Sequence, residues 1–420
     1  MKDLRGIAIR MLIILICAVA VGYLLLVIVF VIPQSRIYVG LANSVSVLER
    51  DDREDMIFGY PSSKLDVFSD GAILNATLYT NDESPFKRAI ACYQYLYDDL
   101  DREQGFIAFF EPREPDGVMP YPRYWHGILV VLKPLFLLFN YSDIRMLNSV
   151  GQIVLISLVA YAFIRGGNHR YLPAVFVSYF FLMPFTLPMS IQYSSVFYIG
   201  FGSLALLMYF DDALKKGNII LYFFLITGIA TSYMDLLTYP MFTLGIPLTG
   251  FFIGSMELPI KDKLRKAASL SMSWFTGYAG MWAGKILIAV PFMGMGAIGD
   301  ALGNAAKRSV AGASQEKLTY VDALRANFFM YKNNIFTLIL FVYVMVTVCL
   351  AVYRIISKQG RLRFDSIPVF LLIMAIPFVW FLVTTEHAVV HAFMTYKNLT
   401  VSVFAFCVML IGMLEKRQIN

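Results

Sequence analysis

Apolar runs long enough to cross a bilayer recur along this chain and fix its class before any motif is read. A hydrocarbon core about 30 Å thick takes roughly 20 consecutive apolar residues in a helix. Residues 7–32, behind Lys2 and Arg5, reach that length and exceed the apolar core of a signal peptide, so they read as an uncleaved first span. Nine further runs cover 146–164, 171–185, 194–210, 219–233, 238–254, 268–290, 335–353, 367–384 and 396–414. Side chains are 58% hydrophobic and 15% charged, whereas soluble domains carry roughly 25% charged residues. That excludes a cytosolic globular protein, a disordered chain and a disulfide scaffold. The expectation is an all-α polytopic membrane protein of about ten transmembrane helices, folded as a single integral membrane domain.

The formal net charge of +6 is unevenly divided. Residues 33–125 hold 16 acids and 9 Lys or Arg, a net of −7, which leaves +13 for the rest. Lys and Arg gather in cytoplasmic loops, so the acidic block reads as an outer loop and the positive charge implies no nucleic acid. The loop at Arg165, His169 and Arg170 and those at 211–216, 261–266, 354–363 and 415–417 then fall inside. Four of these five are net basic and 211–216 is neutral. Both termini come out cytoplasmic, in a multi-pass plasma-membrane protein.

Residues 126–139 are apolar but short, and Lys133-Pro134 interrupts them. A run of 10–14 residues is more often interfacial than spanning, and a span here would reverse every later loop. They read as a juxtamembrane helix, which extends the first outer loop to 33–145. Core spans fill 146–290, a second large outer loop 291–334, and the last three spans 335–420. Smaller outer regions fall at 186–193, 234–237 and 385–395. Amphipathic stretches such as 87–100 make the acidic loop a folded layer over the membrane.

Four places could carry chemistry. Asp66 and Asp70 stand four apart ahead of Gly71 and an apolar helical pattern; they could hold a base or a metal ion, or simply cap a surface helix, with Asp70 near the N-cap. Tyr121-Pro122-Arg123-Tyr124-Trp125-His126, leading on to Lys133, joins aromatics expected as interfacial anchors to Arg, His and Lys side chains that suit a phosphate, unless Arg123 merely snorkels to headgroups. His387 and His391 share a helix face at i, i+4, but Glu386 precedes the first histidine, so the zinc-protease pattern is not met. They read as a cationic or hydrogen-bonding cluster near Lys397. Asp235, between two closely spaced spans, is costly unless paired or wet. Lys307, Arg308, Lys317, Arg325 and Lys332 lie in an outer loop against the prevailing charge bias, as contacts to lipid phosphate or as a solvated helix. Cys17, Cys349 and Cys407 sit in apolar runs and Cys92 stands alone, without metal-ligand spacing. A nucleotide-binding loop and a serine-nucleophile elbow are both missing. Sequons occur at Asn75, Asn140 and Asn398.

The order of these features resembles the GT-C superfamily of membrane glycosyltransferases, which use polyprenyl-phosphate sugars. One span, a long outer loop with an early acidic motif, a Pro-aromatic segment at Tyr121-Pro122, a short helix and the Ser142-Asp143-Ile144-Arg145 loop precede the multi-span body. The likeness covers the layout of about residues 1–255. It implies a glycosyltransferase of cell-envelope polysaccharide biosynthesis, with a polyprenyl-phosphate sugar donor, a glycan or lipid acceptor, and membrane lipids around it. The first-loop catalytic carboxylate then maps onto Asp70, with Asp66 as competitor, acting as general base. Arg123, His126, Asp235, His387, His391 and Lys397 become candidates for binding the lipid phosphate or sugar. The family's second acidic motif has no counterpart in 183–193, which argues against a required divalent metal and leaves no certain cofactor. The rival readings are a transporter or flippase of a lipid-linked saccharide, and a glycan polymerase or ligase.

Overall fold

The computed structural model describes residues 2–51, 56–309, 318–332, 335–357, 360–362 and 364–416. Lys317, Lys358, Arg363 and Arg417, counted above among the loop charges, lie outside them. The described chain is almost entirely helical. Five of its helices are long and apolar enough to cross a membrane: Leu4–Phe30, Tyr141–Arg165, Ile191–Tyr209, Thr337–Ile356 and Ala392–Gly412. Shorter apolar helices are Ile219–Met234, Met241–Ile253 and Ile367–Val383.

Two of the expected spans take other forms. The run 171–185 supplies only the helix Leu172–Phe181, about 15 Å at 1.5 Å per residue. Pro184 and Pro188 follow, and each lacks the N–H a continuing helix needs. The run 268–290 is embedded in one helix of 34 residues, Ile260–Met293, that starts in the basic stretch at 261–266. This long helix crosses Ile219–Met234 where glycines let the backbones touch. A Cβ on Gly228 would lie 2.0 Å from the Trp274 carbonyl oxygen, and one on Gly277 would lie 2.1 Å from that of Leu225. Small residues are what permit such approach when no water drives the helices together.

The short loops assemble at one end of the bundle. Lys215 Nζ donates to the Gly254 carbonyl at 2.5 Å, and Lys263 Nζ to Asp365 Oδ2 at 3.0 Å. The strand Gly360–Leu362 pairs antiparallel with Leu414–Lys416. The acidic segment folds at the opposite end as a helical cap. Its central helix, Val67–Leu78, meets Arg102–Ala108 so closely that a Cβ on Gly71 would lie 2.4 Å from Glu103 Cα. Stretch 87–100 is not one amphipathic helix. The helix Pro85–Ala91 ends at Cys92, which has φ 46°, and the strand Gln94–Leu96 then pairs with Gly117–Met119.

Two buried lysines tie this cap to the helices beneath it. Lys133 Nζ donates to the Thr77 carbonyl at 3.0 Å, and Lys285 Nζ to those of Ala89 and Ile90 at 3.1 and 2.9 Å. Each ammonium thereby satisfies carbonyls that a helix's last turn leaves without partners. Lys133 belongs to Leu129–Leu135; seven helical residues reach about 10 Å, too short to cross a bilayer.

Candidate functional site

Helix Val67–Leu78 begins after Asp66, not at Asp70. Asp66 Oδ1 accepts the Ser69 N–H at 3.0 Å and so caps the helix, which leaves Asp70 in the first turn. Both side chains are buried, but they are used differently. Asp70 Oδ2 accepts the Tyr141 hydroxyl and the Ile191 N–H at 3.0 Å, while Oδ1 accepts the Gln192 N–H at 3.2 Å. It therefore caps Ile191–Tyr209 from another helix, placing negative charge where the helix dipole favours it. Arg145 braces the same network: it donates to the Tyr141 hydroxyl at 3.3 Å and pairs with Asp51. Burial pushes the Asp70 carboxyl up to about 7, with the Asp66 charge adding to the rise.

Asp66 keeps an unengaged oxygen. Its N–H donates to Ser190 Oγ at 2.9 Å and Oδ1 caps the helix, but buried Oδ2 has no hydrogen-bond partner among the described residues. Burial raises this carboxyl to about 6; the Ser69 hydrogen bonds and the Lys397 ammonium pull the other way, and Asp235 pushes it up again. Lys397 is wholly buried. Its Nζ donates to the Phe393 carbonyl and the Tyr396 hydroxyl, both at 3.2 Å, and stands 3.9 Å from the Tyr193 ring centre. Tyr396 is anchored in turn, its hydroxyl donating to the Ser62 carbonyl at 2.7 Å.

Asp235 is buried and held by its own turn. It ends the helix Ile219–Met234 and accepts both the N–H and the hydroxyl of Thr238, at 3.0 and 2.5 Å to Oδ1. Burial raises it to about 6. Two residues on, the Leu237 carbonyl accepts from His387 Nε2 at 2.7 Å. That bond sets the tautomer and leaves His387 Nδ1 without a partner among the described residues. The His387 and His391 rings lie 4.7 Å apart. Burial, His391 and Arg308 hold His387 well below the usual imidazole range, and burial and Arg308 bring His391 down to about 4. Of the two readings of this pair, neutral hydrogen-bonding groups fit and cations do not.

His126 is neutral for the same reason, lowered to about 3 by burial and then by Lys285. Its backbone takes φ 55° and its Nε2 meets the Tyr121 carbonyl at 3.0 Å. The next residue must be small. Gly127 N–H donates to the Tyr233 carbonyl at 2.9 Å, and a Cβ there would come within 2.4 Å of the Tyr233 ring.

The positive charge comes from guanidiniums. Arg123 lies 4.7 Å from the Tyr121 ring centre, with Nη1 3.7 Å from Asp300 Oδ1. Arg102 packs on the same ring at 4.3 Å and on Phe68 at 5.6 Å. Arg308, in the last turn of Gly296–Arg308, donates to the Tyr124 hydroxyl. Sequence reasoning left Arg102 out of the site and grouped Arg308 with the outer-loop bases, as a contact to lipid phosphate or part of a solvated helix.

Asp66, Asp235 and Lys397 thus share one field, and Arg308 reaches His387 and His391. Asp70 makes no hydrogen bond or ion pair with Arg123 or His391 among the described residues. Nor do those residues contain a group of three or more His, Cys, Asp or Glu side chains arranged to hold a metal ion. The sequon asparagines are structural. Asn75 exchanges hydrogen bonds with the Tyr95 backbone at 2.8 and 3.0 Å, Asn398 accepts the Met241 N–H at 3.0 Å, and Asn140 caps Tyr141–Arg165. No protein-family model, curated protein or solved structure matches the chain.

Proposed function

We propose that the chain is a GT-C-like membrane glycosyltransferase with about ten spans, both termini cytoplasmic and its cap on the outer face. It moves a sugar from a polyprenyl-phosphate donor to a glycan or lipid acceptor. The observation that carries this reading is Asp66: a buried carboxylate whose second oxygen is unengaged, in the field of Lys397 and Asp235. Asp66 Oδ2 takes the proton of an acceptor hydroxyl as that oxygen bonds to the anomeric carbon. The bond from that carbon to the phosphate oxygen breaks, and the lipid phosphate leaves with the electron pair. Fixed cations aimed at the departing charge then matter more than a strong acid, and Arg123 and Arg308 supply them. Asp70 positions: it holds Ile191–Tyr209, and with it Ser190, against the Asp66 backbone.

The test is transfer of radiolabelled sugar from polyprenyl-phospho-sugars by protein in lipid nanodiscs. Asp66→Asn is expected to lower kcat by about 10²–10⁴, the range for loss of a general base, with an unchanged thermal midpoint. Asp70→Asn keeps measurable transfer. Full activity in Asp66→Asn sinks the assignment of the base; movement of the lipid-linked sugar across the bilayer without transfer sinks the enzyme reading in favour of transport.

A further inference from the structure

Three buried polar atoms gathered by one turn have no hydrogen-bond partner among the described residues: Asp66 Oδ2, Gln192 Nε2 and His387 Nδ1. Their side chains belong to residues 1%, 0% and 4% exposed, so bulk water does not serve them. The turn is 235–238, between the helices Ile219–Met234 and Met241–Ile253. Gln192 Oε1 accepts its Leu236 N–H at 3.2 Å, and its Leu237 carbonyl accepts from His387 Nε2 at 2.7 Å. Leu237 takes φ 73°, a left-handed backbone that a bulky side chain keeps only where its surroundings impose it, and such strain gathers at functional sites. Asp66 adjoins the same turn. Its N–H donates to Ser190, two residues before Gln192, and the Asp235 charge acts on its carboxyl.

The bonds already made decide what each side chain still offers. The Leu236 N–H only donates, so the Gln192 amide turns its oxygen there and keeps its Nε2 hydrogens free. The Leu237 carbonyl only accepts, so His387 carries its proton on Nε2 and offers Nδ1 as a lone pair. Asp66 Oδ2 is a second acceptor. A buried donor or acceptor with nothing to bond is costly, so the ligand that fits must both give and take hydrogens. A carboxylate or a phosphate dianion has no hydrogen for either acceptor, and an ammonium has no lone pair for Gln192. Hydroxyl groups supply both.

We infer that Gln192 and His387 read free hydroxyls beside the one that Asp66 deprotonates, so that the acceptor is a sugar or other polyol and not a lipid with a lone hydroxyl. The inference rests on the glycosyltransferase reading and narrows its acceptor. Neighbouring hydroxyls accept from Gln192 Nε2 and donate to His387 Nδ1. An acceptor without them leaves buried groups unmet, which is how a polar site rejects a deoxy analogue.

The probes are octyl glucoside, octyl galactoside and octyl mannoside, the monodeoxy derivatives of each, and octyl monoethylene glycol ether, which carries one hydroxyl. Binding to the protein in lipid nanodiscs is read by saturation-transfer NMR titration, and sugar transfer from polyprenyl-phospho-sugars by mass spectrometry of the products. At least one hexoside is expected to bind, and removal of a recognised hydroxyl should weaken it by roughly tenfold to hundredfold. This deoxy series on the wild type needs no variant to fold. Gln192→Glu keeps an oxygen for the Leu236 N–H without a free donor, and His387→Gln keeps an N–H for the Leu237 carbonyl without the Nδ1 lone pair. Each should weaken the hexoside about tenfold and abolish the penalty at one hydroxyl position, a different position in each variant. A folding defect would instead weaken hexoside and deoxy derivative alike and leave the penalty in place. Failure of every hexoside to bind, equal binding of the single-hydroxyl ether, or penalties unchanged in both variants overturns the inference. Transfer to the ether as efficient as to the hexosides also overturns it and leaves the glycosyltransferase reading standing. Hexoside binding with the stated penalties but no transfer from any donor supports the site and sinks the enzyme.

Discussion

Asp66 and Asp70 share a helix face and bury almost to the same degree, yet their surroundings give them different work. Asp70 accepts two N–H groups from the start of Ile191–Tyr209 and the Tyr141 hydroxyl, which engages both of its oxygens. Asp66 spends one oxygen on Ser69 and holds the other free. Two carboxylates at i, i+4 were legible in the sequence; which of them is consumed was not, because the Asp70 partners lie on segments more than seventy positions away. The difference predicts a pH profile. A base must be ionised to work, and burial raises Asp66 to about 6, so kcat/KM should fall as pH drops through that value and level off above it. Asp70→Asn should keep this acid limb while lowering the plateau. A wild-type profile flat between about pH 5 and 7 would remove Asp66 from the role. His126, His387 and His391 contribute no limb of their own there, since burial holds all three below the usual imidazole range, His126 at about 3 and His391 at about 4.

Helices were legible where an apolar run was long and uninterrupted, as in Leu4–Phe30 and Tyr141–Arg165. They were misread where backbone chemistry intervened. Stretch 87–100 has helical spacing, but Cys92 turns left-handed and the chain continues as a strand. The stretch 171–185 has the hydropathy of a span, but its helix ends at Phe181, ahead of Pro184. Close helix crossings are less visible still, because a glycine in an apolar run does not announce which backbone it faces. Gly228 and Gly202 make the contrast measurable. A Cβ at Gly228 would meet the Trp274 carbonyl at 2.0 Å, whereas nothing lies within 4 Å of one at Gly202. Gly228→Ala should therefore lose about 1–3 kcal/mol, the usual cost of overpacking, and lower the thermal midpoint in detergent. Gly202→Ala should raise it slightly, since alanine is the better helix former by up to about 1 kcal/mol. Equal shifts in the two variants would mean that the Gly228 crossing is not closely packed.

The division of charge between the acidic segment and the rest was the most informative property of the whole chain, and it is a statement about sidedness. The structure bears on it through contacts that gather the short loops: Lys215 with Gly254, Lys263 with Asp365, and the strand pair that joins 360–362 to 414–416. The acidic cap packs against the opposite helix ends, through Lys285, Tyr141 and Tyr396. Sequence could not show that second set of contacts, since Ser62 meets Tyr396 and Asp66 meets Ser190 across most of the fold without any periodic signature. If Lys and Arg retention sets the orientation, the two ends face different compartments, and exposed residues at each can report it. In a variant with Cys17, Cys92, Cys349 and Cys407 replaced by alanine, Asp82→Cys and Asp212→Cys each place one thiol on an exposed position. A membrane-impermeant maleimide added to intact cells should label the first and spare the second, and inverted vesicles should reverse the result. Labelling of both from one side would overturn the orientation and with it the placement of Asp66 and the arginine cluster on the outer face. Labelling in the reverse sense would keep the two-ended arrangement but put the donor site toward the cytoplasm, where the lipid-linked sugar would have to be met before it crosses the membrane.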